Sequence, residues 1–315
     1  YPQAVPRVFT INRERCLGCG ICETVCGPRA INYAMQDEIR QLEVGAIVAA
    51  PGLELFDPGV QGEYGYGRYP NVVTSLEFER VLSPSGPYRG MVLRPLDGRA
   101  PRNVAFIQCV GSRRADRNWC SAVCCMVATK QCLVAMEHVA GLQCTVFFID
   151  FRAFGKGFDA YYERAQQAGV RYIRAMPSSI KEAPGSRNLE IQYAPPGDGN
   201  PVGEEFDLVV LSCGLQPTSA ARDLAGKLGI ELTPDGFCRT TITPLNTSRE
   251  GIYVCGPFAE PKDIPETVIQ ASGAAAKAMT LLADVRGTLV APKVYPPEID
   301  VSGQPPRVGV FVCHC

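Results

Sequence analysis

The run Val104-Ala105-Phe106-Ile107-Gln108 leads into a turn that holds Cys109, Cys120, Cys124 and Cys125, with a helix predicted to begin near Ser121. An apolar run without alternation is the pattern of a strand buried on both faces, as in a parallel sheet. In a strand–turn–helix unit that binds a dinucleotide, this turn carries a glycine-rich phosphate loop. Here the turn reads Cys109-Val-Gly-Ser-Arg113, and no G-x-G-x-x-G follows a strand and opens a helix anywhere in the chain. The glycines between Gly62 and Gly67 follow a loop and read as turn chemistry. Four thiols thus stand where cofactor phosphates would be held. The expectation is an electron-carrying unit on a fold shared with pyridine-nucleotide enzymes.

Fifteen cysteines in 315 residues admit two explanations, disulfides in a secreted protein or thiolate ligands in a reducing compartment. The tight clustering, and a composition that is 46% hydrophobic and needs no staples, favour metal ligation in a cytoplasmic protein. The net charge of −1 gives no reason to expect nucleic acid or an acidic membrane surface. No apolar run approaches the ~20 residues that cross a bilayer, and no secretory leader is visible. Because the chain opens on Tyr1 and stops at Cys313-His314-Cys315, it is expected to be a piece of a longer polypeptide.

The second cysteine group, Cys16, Cys19, Cys22 and Cys26, has the C-x2-C-x2-C-x3-C spacing of bacterial ferredoxins. Three thiolates two residues apart wrap one face of an iron–sulfur cube, while Gly18 and Gly20 permit tight turns that aim amides at sulfur. The fourth cysteine is expected to open the following helix. Cys26 is followed by Gly27-Pro28 rather than directly by proline, and it either completes a single cluster or serves another. A zinc ribbon is the competing reading, disfavoured because zinc sites prefer two separated C-x2-C pairs.

In chain order, Val8–Ile11 reads as a strand, 42–52 as a strand ending in a turn, and 53–100 as loop-rich. Strand 104–108, helix ~121–140, strand 144–150, helix ~158–168 and strand 170–174 then alternate as a parallel sheet requires. Strands 189–193 and 206–212 flank a turn-rich excursion, 218–232 reads as a helix stopped by Gly229, and Gly251–Gly256 as a strand. Pro265–Leu282 is a long helix whose run Ala271-Ser272-Gly273-Ala274-Ala275 allows close approach. The proline-rich 284–306 reads as a linker and Arg307–Val312 as the start of a strand.

In the central group, Cys124 and Cys125 point ~100° apart on a helix and reach different irons of one cube. The helix N-terminus favours the negative charge of a thiolate-ligated cluster. Buried core cysteines and a zinc site are the alternatives. Cys132, Cys144, Cys213, Cys238 and Cys255 read as core or near-cofactor thiols, Cys313 and Cys315 as ligands of a further domain, and His138 as a helix-face histidine. Arg113, Arg114, Arg117 and Trp119 either face a partner or form a solvated loop.

Several stretches carry a family resemblance: YPQAVPRVFTI, LEVGAIVAAPG, VAFIQCVGSR, NWCSAVCCMVATKQ, FIDFRAFGKGF, DLVVLSCGL and EPKDIPETVIQAS, in order across residues 1–282. The chain resembles the A-subunit of heterodisulfide reductase and its relatives in anaerobic bacteria and archaea. The resemblance implies an α/β fold like that of thioredoxin reductase, with Rossmann-like FAD and pseudo-NAD domains and a small ferredoxin-like α+β module at the N-terminus. It divides the chain into a 4Fe-4S module (1–40), an FAD-domain segment (41–100) and a Rossmann-like domain carrying a 4Fe-4S site (101–215). A C-terminal FAD-domain segment (216–283), the linker (284–306) and the start of a further domain (307–315) follow.

The implied cofactors are FAD and two to three 4Fe-4S clusters touched by this chain. The implied activity is electron transfer, in some complexes bifurcating, between flavin and clusters. The partners are other subunits of a heterodisulfide-reductase-like complex, with a homodimer left open. Under this resemblance the metal ligands are Cys16, Cys19, Cys22, Cys26, Cys109, Cys120, Cys124 and Cys125. A further motif upstream of Tyr1 would share the first cubes. FAD would be met by Gly52, Gly256, Pro257, Lys262, Asp263, Ala271 and Ser272, with its glycine-rich loop upstream. Gly256-Pro257 stands where the family's Gly-Asp is expected, which removes a ribityl-binding carboxylate. Lys130, on the helix after the central cysteines, is the candidate catalytic residue, a cation near flavin N5. An NAD(P)H-dependent oxidoreductase of the glutamate-synthase small-subunit type and a zinc-stabilised scaffold are the competing classes.

Overall fold

A computed structural model describes residues 11–34, 36, 39–195, 197 and 199–311. The chain divides into two compact units, Tyr1–Glu43 with Gly287–Cys315, and Val44–Arg286. In the first unit the regular element is helix α1 (Ile21–Val25). Val8–Thr10, Val312, Cys313 and Cys315, which carried expectations of strand or ligation, lie outside the described residues, and Arg307–Phe311 form no strand.

The second unit runs β1 (Ile47–Ala49), β2 (Glu54–Leu55), β3 (Val72–Thr74), α2 (Ser75–Leu82), β4 (Asn103–Val110), α3 (Cys124–His138) and β5 (Gln143–Phe147). It continues through α4 (Phe158–Gln167), β6 (Arg171–Ile173), β7 (Ser179–Glu182), β8 (Leu189–Tyr193), β9 (Val202–Phe206) and β10 (Leu208–Cys213). Then come β11 (Leu215–Gln216), α5 (Ala221–Leu228), β12 (Ile252–Val254) and α6 (Ile264–Leu281). Five strands form one parallel sheet in the order β3-β10-β4-β5-β6. From β4 the chain proceeds one way to β5 and β6, and returns to the other side of β4 as β10. The sheet therefore has a topological switch point between β4 and β10, the place where open α/β sheets bind ligands beyond their strand ends.

Both faces of that sheet are buried, and the alternation of side chains sorts them. Val104 and Phe106 of β4, with Leu208 and Val210 of β10, face the layer of α2, α3 and α4. Ala105, Ile107, Val209 and Leu211 face the antiparallel sheet β7-β8-β9, which supplies Ile180, Leu189, Ile191 and Phe206. A continuous apolar run is what a strand between two layers needs.

Two sequence expectations change here. The stretch 53–100, read as loop-rich, supplies edge strand β3 and helix α2. Thr74 and Glu77 close a capping box at the start of α2, the [ST]-x-x-[E] signature that marks a helix start. Residues 206–212, read as one strand, split at Asp207. Val202–Phe206 pairs with β8 in the antiparallel layer and Leu208–Cys213 crosses into the parallel sheet. Elsewhere β1 pairs in parallel with β12, and Gly229 (φ 67°) ends α5 in the left-handed conformation expected of it.

Phe78 of α2 is fully buried edge-to-face on Phe106, with ring centroids 5.6 Å apart. Phe78→Ala is expected to destabilise the second unit by about 3–5 kcal/mol, the range for deleting a buried phenyl ring, read as a lowered denaturation midpoint. A loss under about 1 kcal/mol would mean α2 is not part of this core.

Candidate iron–sulfur and flavin sites

The C-terminal end of β4 is distorted where it meets the switch point. Ile107 pairs with Leu211 but Val110 pairs with Cys213, so β4 carries one extra residue over this interval. Within that bulge Cys109 has φ 60°, a left-handed conformation that is uncommon for a residue with a Cβ. Bulges re-aim side chains next to functional sites. Here the bulge sets a thiol, 7% exposed, at the head of the cysteine loop.

The loop that follows is docked through Arg113, Arg117, Trp119 and Ser121, while Arg114, Ala115, Asp116 and Asn118 are exposed. Trp119 donates its indole N–H to the Leu215 carbonyl (2.8 Å) and lies edge-on to Phe237. Ser121 Oγ accepts from the Leu215 amide (2.7 Å). Arg113 reaches Asp150 Oδ2 at 2.7 Å, and Arg117 lies over the Phe56 ring. Helix α3 starts at Cys124, three residues later than expected, so Cys120 belongs to the loop and Cys124 and Cys125 to the first turn. The Ala122 amide donates to Cys120 Sγ (3.3 Å). Cys124 donates to the Cys213 carbonyl (3.7 Å) and Cys125 to that of Asp150 (3.9 Å).

The four thiols lie in one another's field. Burial, then repulsion from Cys125 and Cys120, pushes the Cys109 thiol up to about 12. Burial, then Cys125, Cys109 and Cys120, raises Cys124 as well, and burial raises Cys125. Among the described residues no three Cys, His, Asp or Glu side chains converge closely enough to hold a single ion. A cube spreads its four thiolates over four irons and asks for a wider set. Four cysteines at or just before the N-terminus of a 15-residue helix, with an amide on the sulfur of one of them, would suit such a set.

In the first unit, Gly18 (φ 67°) donates its amide to Cys16 Sγ at 3.4 Å, and the Ala30 amide donates to Cys26 Sγ at 3.3 Å. Gly18 and Gly20 (φ 72°) both turn in the left-handed conformation, and the amide of Gly18 is the one aimed at a sulfur. Cys26 does not open a helix, however. It caps the C-terminus of α1, whose first turn contains Cys22. Tyr33, which the sequence reading passed over, has its hydroxyl 2.7 Å from Cys22 Sγ.

Lys130 lies on α3 with its ammonium on Glu79 of α2, whose second carboxylate oxygen takes the Gln131 amide at 3.0 Å. Together they line a cavity of about 310 Å³ whose wall includes Leu55, Val127, Ser212, Leu215 and the candidate ligand Cys124. Gln131 is fully buried and its Oε1 has no partner. Glu79 escaped the sequence reading because α2 did, and the capping box was the signal that could have found both.

The residues expected at FAD are divided. Gly52 (φ 82°) and Gly256 (φ 72°) end β1 and β12 in turns that favour glycine, and the Gly256 amide donates to Gln270 Oε1 (3.0 Å). Pro257 follows in a three-ten turn. Lys262 is buried, its ammonium 3.3 Å from Glu260, and Asp263 caps α6 together with Glu266. Within the small-residue run of α6, Gly273 and Ala274 are the members packed against the rest of the unit. A Cβ on Gly273 would meet Leu245 at 2.7 Å, and Ala274 is buried with Tyr253 and Cys255. Ala271 and Ser272 are exposed.

The architecture and the cysteine spacing define an α/β protein that carries a ferredoxin-type iron–sulfur module. Residues 9–32 match the family described as "4Fe-4S binding domain". The iron-sulfur A-subunit of the CoB–CoM heterodisulfide reductase of Methanocaldococcus jannaschii is 46% identical over 87% of this chain and 43% of its own length. The A-subunit of the H2:CoB-CoM heterodisulfide,ferredoxin reductase of Methanothermobacter marburgensis is 38% identical over 99% of this chain and 47% of its own. The chain belongs to the heterodisulfide reductase A-subunit family, and it spans about half the length of the curated relatives it matches. Among solved structures, thioredoxin reductases of T. acidophilum and Lactococcus lactis align over 76% of this chain and 65–66% of theirs, at TM-scores of 0.47 and 0.49 and identities of 15% and 17%. No described helix is long and apolar enough to cross a membrane.

The Lys130–Glu79 pair gives a pH-dependent expectation. Burial pushes the Glu79 carboxyl up, but the hydrogen bonds from Lys130 and Gln131 outweigh it and hold it below its usual value. A carboxyl depressed on folding stabilises above its unfolded pKa, about 4.3, and loses that contribution as pH falls through the folded value. Both side chains are 43% exposed, so solvent screening limits the pair to under about 1 kcal/mol. The stability gap between the protein and Glu79→Gln is therefore expected at neutral pH and to close below about pH 4. A gap independent of pH would assign it to packing.

Proposed function

We propose that this chain is the electron-transfer part of the A-subunit of a heterodisulfide reductase, an oxidoreductase component that serves a CoB–CoM heterodisulfide-reducing complex with other subunits. When bound, FAD would supply the exchange between paired and single electrons, and 4Fe-4S clusters the one-electron relay. The observation that carries this reading is a shared wall. Cys124, a candidate cluster ligand, and Lys130, the candidate flavin-facing cation, line the same cavity.

Each residue has a definite task there. Cys109, Cys120, Cys124 and Cys125 would hold one cube at the switch point, and Cys16, Cys19, Cys22 and Cys26 the cubes of the ferredoxin module. Leu55, Val127 and Leu215 exclude water from one side of the cavity and suit a flat, weakly polar ring. Glu79 holds the Lys130 ammonium at the rim, where a cation favours an anionic ring over a neutral one. Gln131 offers an unpartnered acceptor from a buried side chain. Gly52 and Gly256 allow close approach of the cofactor at the ends of β1 and β12, with Lys262 supplying a buried positive charge beside it. Ala271 and Ser272 present small side chains on the exposed face of α6. The segments 41–100 and 216–283 would thus share the flavin domain, although β3 and α2 of the first segment build the central sheet.

Two measurements on full-length, anaerobically purified protein test the assignment. Cys120→Ala is expected to remove about four irons and four sulfides per chain while flavin content stays constant. Unchanged iron would sink the central cluster. Lys130→Ala is expected to make the bound flavin harder to reduce in a dye-linked titration, and an unchanged flavin potential would remove Lys130 from the site.

A further inference from the structure

Tyr33 lies just beyond the stretch that matches the 4Fe-4S binding domain. Its hydroxyl is 2.7 Å from Cys22 Sγ, a contact in which geometry alone lets either atom be the donor. Ligation removes that ambiguity. A cysteine bound to iron is a thiolate and has no proton to give, so Tyr33 must donate. The other sulfurs of the motif that receive hydrogen bonds take them from backbone amides, Gly18 onto Cys16 and Ala30 onto Cys26. Among the described residues, Tyr33 is the one side-chain donor to a sulfur of the motif.

The difference has a chemical consequence. A backbone amide is set by the turn and does not vary with sequence, whereas a side-chain donor can be deleted by one substitution without moving the chain. A donor on a ligand sulfur stabilises the reduced, more negative cluster more than the oxidised one, and such bonds are among the determinants of iron–sulfur potentials. We propose that Tyr33 sets the reduction potential of the cluster held by Cys22, raising it through an O–H···S bond. The inference rests on the iron–sulfur reading of the module and is independent of the flavin site and of the central cysteines. Tyr33 is 40% exposed, so its hydroxyl matters more here than the packing of its ring.

The test is a potentiometric titration of the full-length protein followed by EPR of the reduced clusters. Tyr33→Phe keeps the ring and removes the donor. The expected result is a reduced-to-oxidised ratio about tenfold lower at a given solution potential, or about 59 mV for a one-electron couple, for the cluster bound by Cys22. Clusters that Cys22 does not bind serve as internal controls and keep their potentials. If Tyr33→Phe does not assemble its cluster, 3-fluorotyrosine at position 33 decides. Its more acidic phenol is a stronger donor and raises the potential. Assembled clusters with unchanged potentials in the variant, or in the fluorinated protein, overturn the role of Tyr33. If the unmodified protein has no cluster on Cys22, both this inference and the reading on which it rests fall. A loss of iron from Cys22→Ala alone, with Tyr33→Phe unshifted, leaves the module standing and removes Tyr33 from it.

Discussion

The parallel pairing of β4 with β10 is the contact on which the central sheet and its candidate site depend. Ala105 and Phe106 align with Val209 and Val210, and the ladder stays regular until the bulge at Cys109. One pairing performs three tasks. It closes the sheet between chain segments about a hundred residues apart, it creates the switch point, and it brings Cys213 beside the cysteine loop. The Gly214 amide bonds back to the Val110 carbonyl at 2.7 Å. The start of β11, immediately after it, then receives Trp119 and Ser121 from the loop. Without β10 the loop would lose the anchorage of Trp119 and Ser121 on Leu215, which follows it.

The same region accounts for the missing phosphate loop. Gly111 has φ 75°, and a Cβ there would stand 2.0 Å from the Phe56 ring. The turn thus keeps a glycine for close approach, but what approaches is an aromatic side chain of the same chain. Arg117 lies over that ring from its own loop. The glycine that in a dinucleotide fold makes room for a pyrophosphate here makes room for Phe56. A fold can retain its strand–turn–helix scaffold and change its chemistry through the residues on one turn.

What was legible in the sequence was whatever one short stretch decides for itself. The ferredoxin spacing was legible because its ligands lie within eleven residues and its glycines control their own turns. The buried strands showed in unbroken apolar runs, and the stop at Gly229 showed in the glycine. Helix α2 was missed because the glycines and prolines around it outweighed its capping box. The boundary at Asp207 was missed because Phe206 and Leu208 are equally apolar, although they belong to different sheets. The small-residue run of α6 was read correctly as permitting close approach, but which members face the strand depends on the rotation of the helix.

By itself, then, the sequence determined the strand–helix alternation, the two cysteine groups and the family, since all three rest on local spacing or on direct identity with relatives. Only the tertiary structure decided that Cys109 sits in a bulge, that Lys130 is held by Glu79, and that Cys124 and Lys130 share a cavity. Each of these joins residues far apart in the chain, and their meeting is set by the register of β4 against β10 and the packing of α2 on α3. Local spacing carries no information on either.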